Sequence, residues 1–349
     1  MKLKLENKKN KILKSIKMIK QDCFPTQIDA TPEMLEKIMT FLNTDKSHLD
    51  ERLDNHIKYV FLDDKVRSDN KNGIQYDVWD VGWDLVQTEG FHIRHHPLLD
   101  CGDLKKFKFP EPDDSLFCSI NRLDEKLRNE YFILFDQGFT LFERLWLLRG
   151  FENTLSDLYF RKSEVDYLLD GITEYHIEIA DRITRLGRVD GAYTGDDFGT
   201  QRGMLMSPDM WKKFFKKRYR RLWEKYKSCN LPVFHHSCGN IMDIIPDLIE
   251  IGLNVLTPIQ PEAMNISELS GRFGRYLSFL GGISTQTTLP YGSPGQVKKA
   301  IIESINILGQ YDGYIISPSH EMTSDCPEQN FLALHKTLND YKKGFLSIK

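Results

Sequence analysis

Residues 232–260 read PVFHHSCGNIMDIIPDLIEIGLNVLTPIQ. An apolar run, PVFHH, meets a glycine turn. A helical pattern, IMDIIPDLIEIG, follows and leads to a second apolar run, NVLTPIQ. Two short apolar runs joined by one amphipathic helix form a strand–helix–strand unit, the connection that parallel strands require. The rhythm extends both ways. YFILF (131–135) and GAYTGDD (191–197) precede it; YLSFLGG (276–282) and GYIISPSH (313–320) follow, with ISELSGRFG and SPGQVKKAIIESINILGQ as the intervening helices. At least five such units predict an α/β fold with a parallel sheet and right-handed connections. A (β/α)8 TIM barrel is the best closure, with an open doubly wound sheet as the alternative. No glycine-rich dinucleotide fingerprint and no phosphate loop follows any of these strands, which argues against an open-sheet nucleotide binder.

Outside this region the texture differs. Residues 1–50 are polar and helical, with Ile12, Leu13, Ile16 and Ile19 as an apolar stripe suited to packing on the domain or a partner. Residues 75–115 are aromatic and rich in turn residues, ending in FKFPEPDD, and read as an ordered excursion. The expected division is an N-terminal helical extension over 1–70, packed on a barrel over 71–349. A long helix is expected at 163–187 and another at 207–230, with Ser207 as N-cap and Pro208 in the first turn.

The 349 residues are 40% hydrophobic and carry a formal charge of −3, so no global basic field favours nucleic acid. The basic face of helix 207–230 reads as a solvated surface or a docking face for an acidic protein. Six scattered cysteines form no disulfide framework and suit a reducing compartment. The lysine-dotted start lacks the apolar core of a signal peptide, and no window is long and apolar enough for a membrane span. A soluble cytoplasmic protein is expected.

In a barrel the active site gathers at the C-terminal ends of the strands. Those positions carry Asp196, Asp197 and Gln201; His236 and Cys238; Gln260; Gly282 and Gln286; and His320 and Cys326. Imidazole and thiolate suit zinc, and three protein ligands with an open fourth position make a catalytic site. His236 and Cys238 supply two ligands. His320 is the best-placed third, and Cys326 is a weaker substitute. Space filling is the competing reading of the His-x-Cys pair. His235 should point the other way in its strand and pack between sheet and helix. Asp196 and Asp197 could be acids, ligand contacts or helix caps. Gln260 and Gln286 either bind a polar ligand or are solvated. Gly282 either admits a ligand or forms a turn.

Five segments together carry a family resemblance: HHSCGNIMDIIPDLIEIGLNVLTPIQP, LGGISTQTTLPYGSP, SPSHEMTSDCPEQN, GDDFGTQRGMLMSPDMW and LFERLWLLRGFENTLSDLYF. From about residue 75 onward the chain resembles the uroporphyrinogen decarboxylase superfamily, closest to its cobalamin-dependent methyltransferase branch. That resemblance implies a (β/α)8 barrel and a zinc held by a His-x-Cys pair plus a later cysteine. His236 and Cys238 match the pair; His320 stands where the branch has cysteine. The decarboxylase itself relies on an arginine-rich N-terminal segment, but residues 1–90 here hold only Arg52 and Arg67.

The resemblance therefore implies a zinc-dependent methyltransferase moving a methyl group between a small O-, N- or S-methyl compound, or a thiol acceptor, and a corrinoid (cobalamin). Asp197 and Gln201 would orient the substrate, with Asp196, Gln260, Gln286 and Gly282 around it and Glu143 and Arg149 as lesser candidates. No remaining stretch is long enough for a corrinoid domain, so a separate corrinoid-binding protein is expected, and a homodimer is plausible for this barrel. The alternatives are a metal-free lyase acting on a carboxylated substrate, and a barrel that binds a partner without catalysis.

Overall fold

The computed structural model describes residues 7–85 and 92–346. The first six residues, part of the lysine-dotted start, lie outside it, as do 86–91 within the aromatic excursion. Seven strands form one parallel sheet: β1 (Ile57–Val60), β6 (Phe132–Phe139), β7 (Gly191–Gly195), β8 (Val233–His236), β9 (Val255–Ile259), β10 (Ser278–Ile283) and β11 (Tyr314–Pro318), paired in that order. Between β1 and β6 the chain builds a second, antiparallel sheet from β2 (Lys65–Asp69), β3 (Ile74–Asp77), β4 (Gly82–Asp84) and β5 (Ile93–His95). Turn residues around 70–73 and 78–81 reverse its strands, which accounts for the turn-rich composition there.

The parallel sheet curls, and strand parity sorts its side chains. The concave face carries Ile57, Phe132, Leu134, Phe234, Val255, Leu280 and Ile315, which form a core of their own. The convex face carries Ile133, Phe135, Ala192, Val233, Leu256, Phe279 and Ile316, packed with the outer helices in the larger core. Helix Lys8–Ile16 closes the end of the concave core opposite the strand C-termini. Its Ile12 is fully buried there, with Leu13 and Ile16 beside it. Ile19, the fourth residue of the expected stripe, lies beyond the helix and is half exposed.

Two expectations are revised. Among the described residues seven strands pair in the sheet, where a (β/α)8 barrel has eight; an extended segment around Thr26 makes single parallel bridges to Ile316 of β11 and to Asn55 beside β1. Gln27 N–H donates to Ile316 O, and His56 N–H donates to Thr26 O. The boundary at residue 70 also cuts through the sheet, because β1 lies before it. A four-residue strand fully buried only at its two ends, and a segment paired by isolated bridges, carry too little apolar sequence to stand out from the polar helices around them.

The long helix runs Lys162–Leu186 and ends at left-handed Gly187. Ser207 accepts the Met210 N–H as N-cap, and the helix that follows passes through a π-turn at Lys212–Lys216 before continuing to Ser228. Its basic face is largely charge-paired. Lys216 meets Asp247 and Glu250 at 2.6 Å, and Arg218 meets Asp170 at 2.7 Å. Among the described residues no helix is long and apolar enough to cross a membrane.

Ile12→Ala removes buried atoms from the concave core, where the surrounding strands cannot collapse. It should lower the unfolding free energy by about 2–5 kcal/mol in urea denaturation. An unchanged midpoint would mean that helix Lys8–Ile16 does not close the sheet.

Candidate metal centre

The concave columns of the strands rise from apolar residues to polar ones: Tyr59, Asp136, Tyr193, His236, Thr257 and Ser317. These line a cavity of about 1050 Å3 at the strand C-termini. Lys65 and Trp83 of the antiparallel sheet also line it, and Trp83 stacks on Phe139 at 5.5 Å.

Parity separates the two histidines of β8. His235 turns outward and is fully buried against Tyr219 and Trp223, with Nδ1 3.0 Å from Thr194 Oγ1. Burial pushes its pKa down to about 3, so it is a neutral packing residue. His236 turns inward. Its Nδ1 is 2.6 Å from Tyr193 Oη, and its Nε2 is 3.3 Å from Cys238 Sγ and 3.5 Å from Asp197 Oδ1. The His320 ring stands edge-on to it at 5.8 Å. Ligand atoms of His236, Cys238 and His320 all lie within 4.8 Å of one another.

The turn carrying Cys238 is held by its neighbours. Asp197 Oδ1 accepts the Cys238 N–H at 2.7 Å, and Gln260 Oε1 accepts the Gly239 N–H at 2.7 Å. Gly199 and Gly239 let the two loops touch backbone to backbone: a Cβ on Gly199 would stand 2.6 Å from Cys238 O, and Gly239 has φ +82°. Burial pushes the His236 pKa down to about 4, opposed by Asp197 and aided by His320. The ring is therefore neutral at pH 7, the form that ligates metal. Burial, then the Asp197 and Glu143 carboxylates, push the Cys238 thiol far up. A cation is what reverses such a shift, with release of the proton. Two imidazoles and one thiol that a cation can ionise are a fitting donor set for zinc.

The other expected residues divide. Asp197 lines the cavity beside the trio. Gln260 is buried behind it, its Nε2 3.6 Å from Cys238 Sγ. Glu143 lines the cavity, and burial, with Asp197 and Asp196, holds its pKa well above the usual range.

Asp196, expected near substrate, is a helix cap. It is fully buried and accepts the N–H groups of Leu141, Phe142 and Glu143 at 2.7–2.9 Å, and it also accepts the Tyr219 hydroxyl. Gln201 and Gln286 are exposed and hydrogen-bonded to each other at 3.3 Å, outside the cavity lining. Gly282 faces the outer helix: a Cβ there would meet Leu308 and the Tyr314 hydroxyl, and its carbonyl accepts from Ser304. Cys326 is buried away from the trio, with Sγ 3.6 Å from Leu289 O. Arg149 is locked to Asp157 at 2.8 Å and to the carbonyls of Leu98 and Leu99.

Tyr193, Asp136, Tyr59 and Asp29 escaped the sequence reading. The first two share the inward parity of their strands, so counting by two from Leu134 or from Gly191 would have found them. Tyr59 and Asp29 come from the segment read as an extension, where no repeated unit marks a strand. Burial raises Asp136 to about 7 and Asp29 to about 6.

Asp196→Ala strips four buried donors of their acceptor, and unfolding free energy should fall by at least about 3 kcal/mol in urea titration. Asp197→Asn keeps an acceptor and should change it by less than about 1 kcal/mol. Equal stability of the two variants would contradict the division of roles. A second test uses pH. Asp136 is protonated more readily in the fold than in the unfolded chain, where an aspartate titrates near about 3.9. Its stabilising contribution is full below that value and is lost as pH rises to about 7. Asp136→Asn should flatten the stability curve between pH about 4 and about 7; an unaltered slope would exclude a raised Asp136.

The uroporphyrinogen decarboxylase (URO-D) family model matches residues 78–341. Among solved structures, a methyltransferase from Methanosarcina mazei superposes with a TM-score of 0.71 at 16% identity, covering 96% of this chain and 99% of that one. No curated protein matches the chain. With three quarters of its length matched by that model and the same fold in the solved structure, the chain belongs to the uroporphyrinogen decarboxylase family.

Proposed function

We propose that the protein is a zinc-dependent methyltransferase that exchanges a methyl group between a small methylated compound, or a thiol acceptor, and a corrinoid carried by a separate protein. The reading takes the sheet as a (β/α)8 barrel whose ring is completed by the bridging segment around Thr26. The observation that carries the functional proposal is the convergence of His236, Cys238 and His320, from two non-adjacent strand ends, beside a large cavity that both histidines line. The methyltransferase named among the solved structures agrees with it. His236, Cys238 and His320 would hold zinc, which when bound supplies Lewis acidity to the substrate heteroatom or stabilises it as a thiolate.

The residues around them have distinct tasks in this proposal. Asp197 fixes the Cys238 turn by accepting the Cys238 backbone N–H, and it lines the cavity. Glu143, kept protonated by burial and by its acidic neighbours, is the proton donor for a leaving amine or alkoxide. Gln260 holds Gly239 and so keeps the Cys238 turn against β9.

The lyase alternative is disfavoured by charge. Seven acidic and four basic side chains line the cavity, and a polycarboxylate would need the opposite balance. Three of the bases are already engaged: Lys58 by Asp50, Lys65 by Asp64 at 3.8 Å, and Arg144 by Asp77 at 2.8 Å.

Full-length protein purified without an affinity tag should contain about one zinc per chain by elemental analysis, and Cys238→Ser should lose it. His236→Ala and Cys238→Ser should abolish methyl transfer to or from a corrinoid protein while keeping a cooperative unfolding transition. Full turnover by chelated, metal-free protein would reject the proposal.

A further inference from the structure

We propose that Tyr193 is the positioning residue for His236: its hydroxyl oxygen accepts a hydrogen bond from Nδ1–H, which keeps the proton on Nδ1 and leaves Nε2 bare toward Cys238 and the cavity. The inference rests on the zinc reading above.

The geometry comes from sheet register. β7 and β8 pair in parallel with Tyr193 opposite Phe234 and Gly195 opposite His236. Tyr193 and His236 are therefore diagonal neighbours on the concave face, a separation that a long side chain can span. Gly195, directly opposite His236, has no side chain to intervene, so the phenol reaches past it to Nδ1 at 2.6 Å. Edge-on contact with Tyr59 at 5.9 Å fixes the ring of Tyr193 in turn. The opposite nitrogen, Nε2, is the one that faces Cys238 Sγ and Asp197 Oδ1.

A neutral imidazole carries one proton, and the nitrogen that lacks it is the ligand. A metal ligand's second nitrogen usually donates to an oxygen that fixes both tautomer and ring orientation. Among the described residues, Tyr193 Oη is the hydrogen-bond partner found for His236 Nδ1. A phenol oxygen also adds no charge, whereas a carboxylate there would join the acids already crowding the cavity. The convex face offers an internal comparison: Thr194 Oγ1 holds His235 Nδ1 at 3.0 Å, but among the described residues that ring belongs to no cluster of three metal-capable side chains.

The test measures zinc affinity of the full-length protein by competition with a chromophoric chelator, and the visible absorption of the cobalt(II)-loaded form. Tyr193→Phe should bind zinc about 10–100-fold more weakly than wild type and alter the cobalt spectrum. Thr194→Val, which removes the convex-face hydroxyl, should lower thermal stability and leave zinc affinity within about twofold, because it touches only a packing residue. If Tyr193→Phe fails to fold, Tyr193→Gln and Tyr193→Met replace it. Gln keeps an acceptor and should bind zinc more tightly than Met. Wild-type affinity and spectrum in Tyr193→Phe, or equal affinity of the Gln and Met variants, would overturn the inference and leave the zinc reading standing. Failure of the wild type itself to bind zinc or cobalt would overturn both.

Discussion

Strand parity in β8 is the constraint on which the site depends. Adjacent residues of a strand point to opposite faces, so one slip of register would exchange His235 and His236. His235 is what makes that slip costly. It is a neutral imidazole enclosed by Tyr219, Trp223 and Phe198 and tied to Thr194. On the concave face this aromatic enclosure would be absent and Thr194 out of reach, so the outward histidine pins the inward one. The doubled histidine is thus one packing residue and one chemical residue.

The adjacent aspartates after β7 divide their work in the same way. Asp196 turns into the protein and collects the first N–H groups of helix Phe142–Arg149, where the helix dipole favours a negative charge. That anchoring sets the first turn of the helix against the strand ends and so brings Glu143 to the cavity wall. Asp197 turns the other way and holds the turn that carries Cys238. Close approach of Gly199 to Gly239 makes the second arrangement possible, because any side chain at either position would force the two loops apart. The trio is therefore assembled by contacts between loops, while the strands supply only its starting points.

Legibility of these features in the sequence follows their physical origin. The parallel sheet from β6 to β11 was readable because each strand is an apolar run followed by a helix-period pattern. His236, Cys238 and His320 were readable because metal-capable side chains at strand ends have little packing rationale. β1, the bridge at Thr26 and the antiparallel sheet were not, because their strands are short and their exposed faces polar. Gln201, Gln286 and Gly282 were assigned by proximity in sequence to strand ends, yet loop conformation and strand parity decide where such side chains point. Asp196 and Asp197 cannot be distinguished from sequence alone, since a buried cap and an exposed ligand contact use the same carboxylate.

The electrostatics of the cavity tie these pieces together. Asp29, Asp136 and Glu143 have raised pKa values chiefly because burial disfavours their charged forms, and Cys238 follows the same rule. Each pKa unit corresponds to about 1.4 kcal/mol of difference between the two protonation states. Acids whose ionisation is opposed by burial thus store a preference for positive charge that the apolar walls alone would not have. A divalent cation at His236, Cys238 and His320 would meet that preference directly and draw the proton from the Cys238 thiol. Metal affinity and the ionisation of the cavity are then one linked equilibrium. The same balance works against an anionic, polycarboxylate substrate, which would add like charge to Asp29, Asp136 and Glu143 as they ionise. On the proposed zinc reading, the features that would favour a metal at the trio are also those that would disfavour a polycarboxylate substrate.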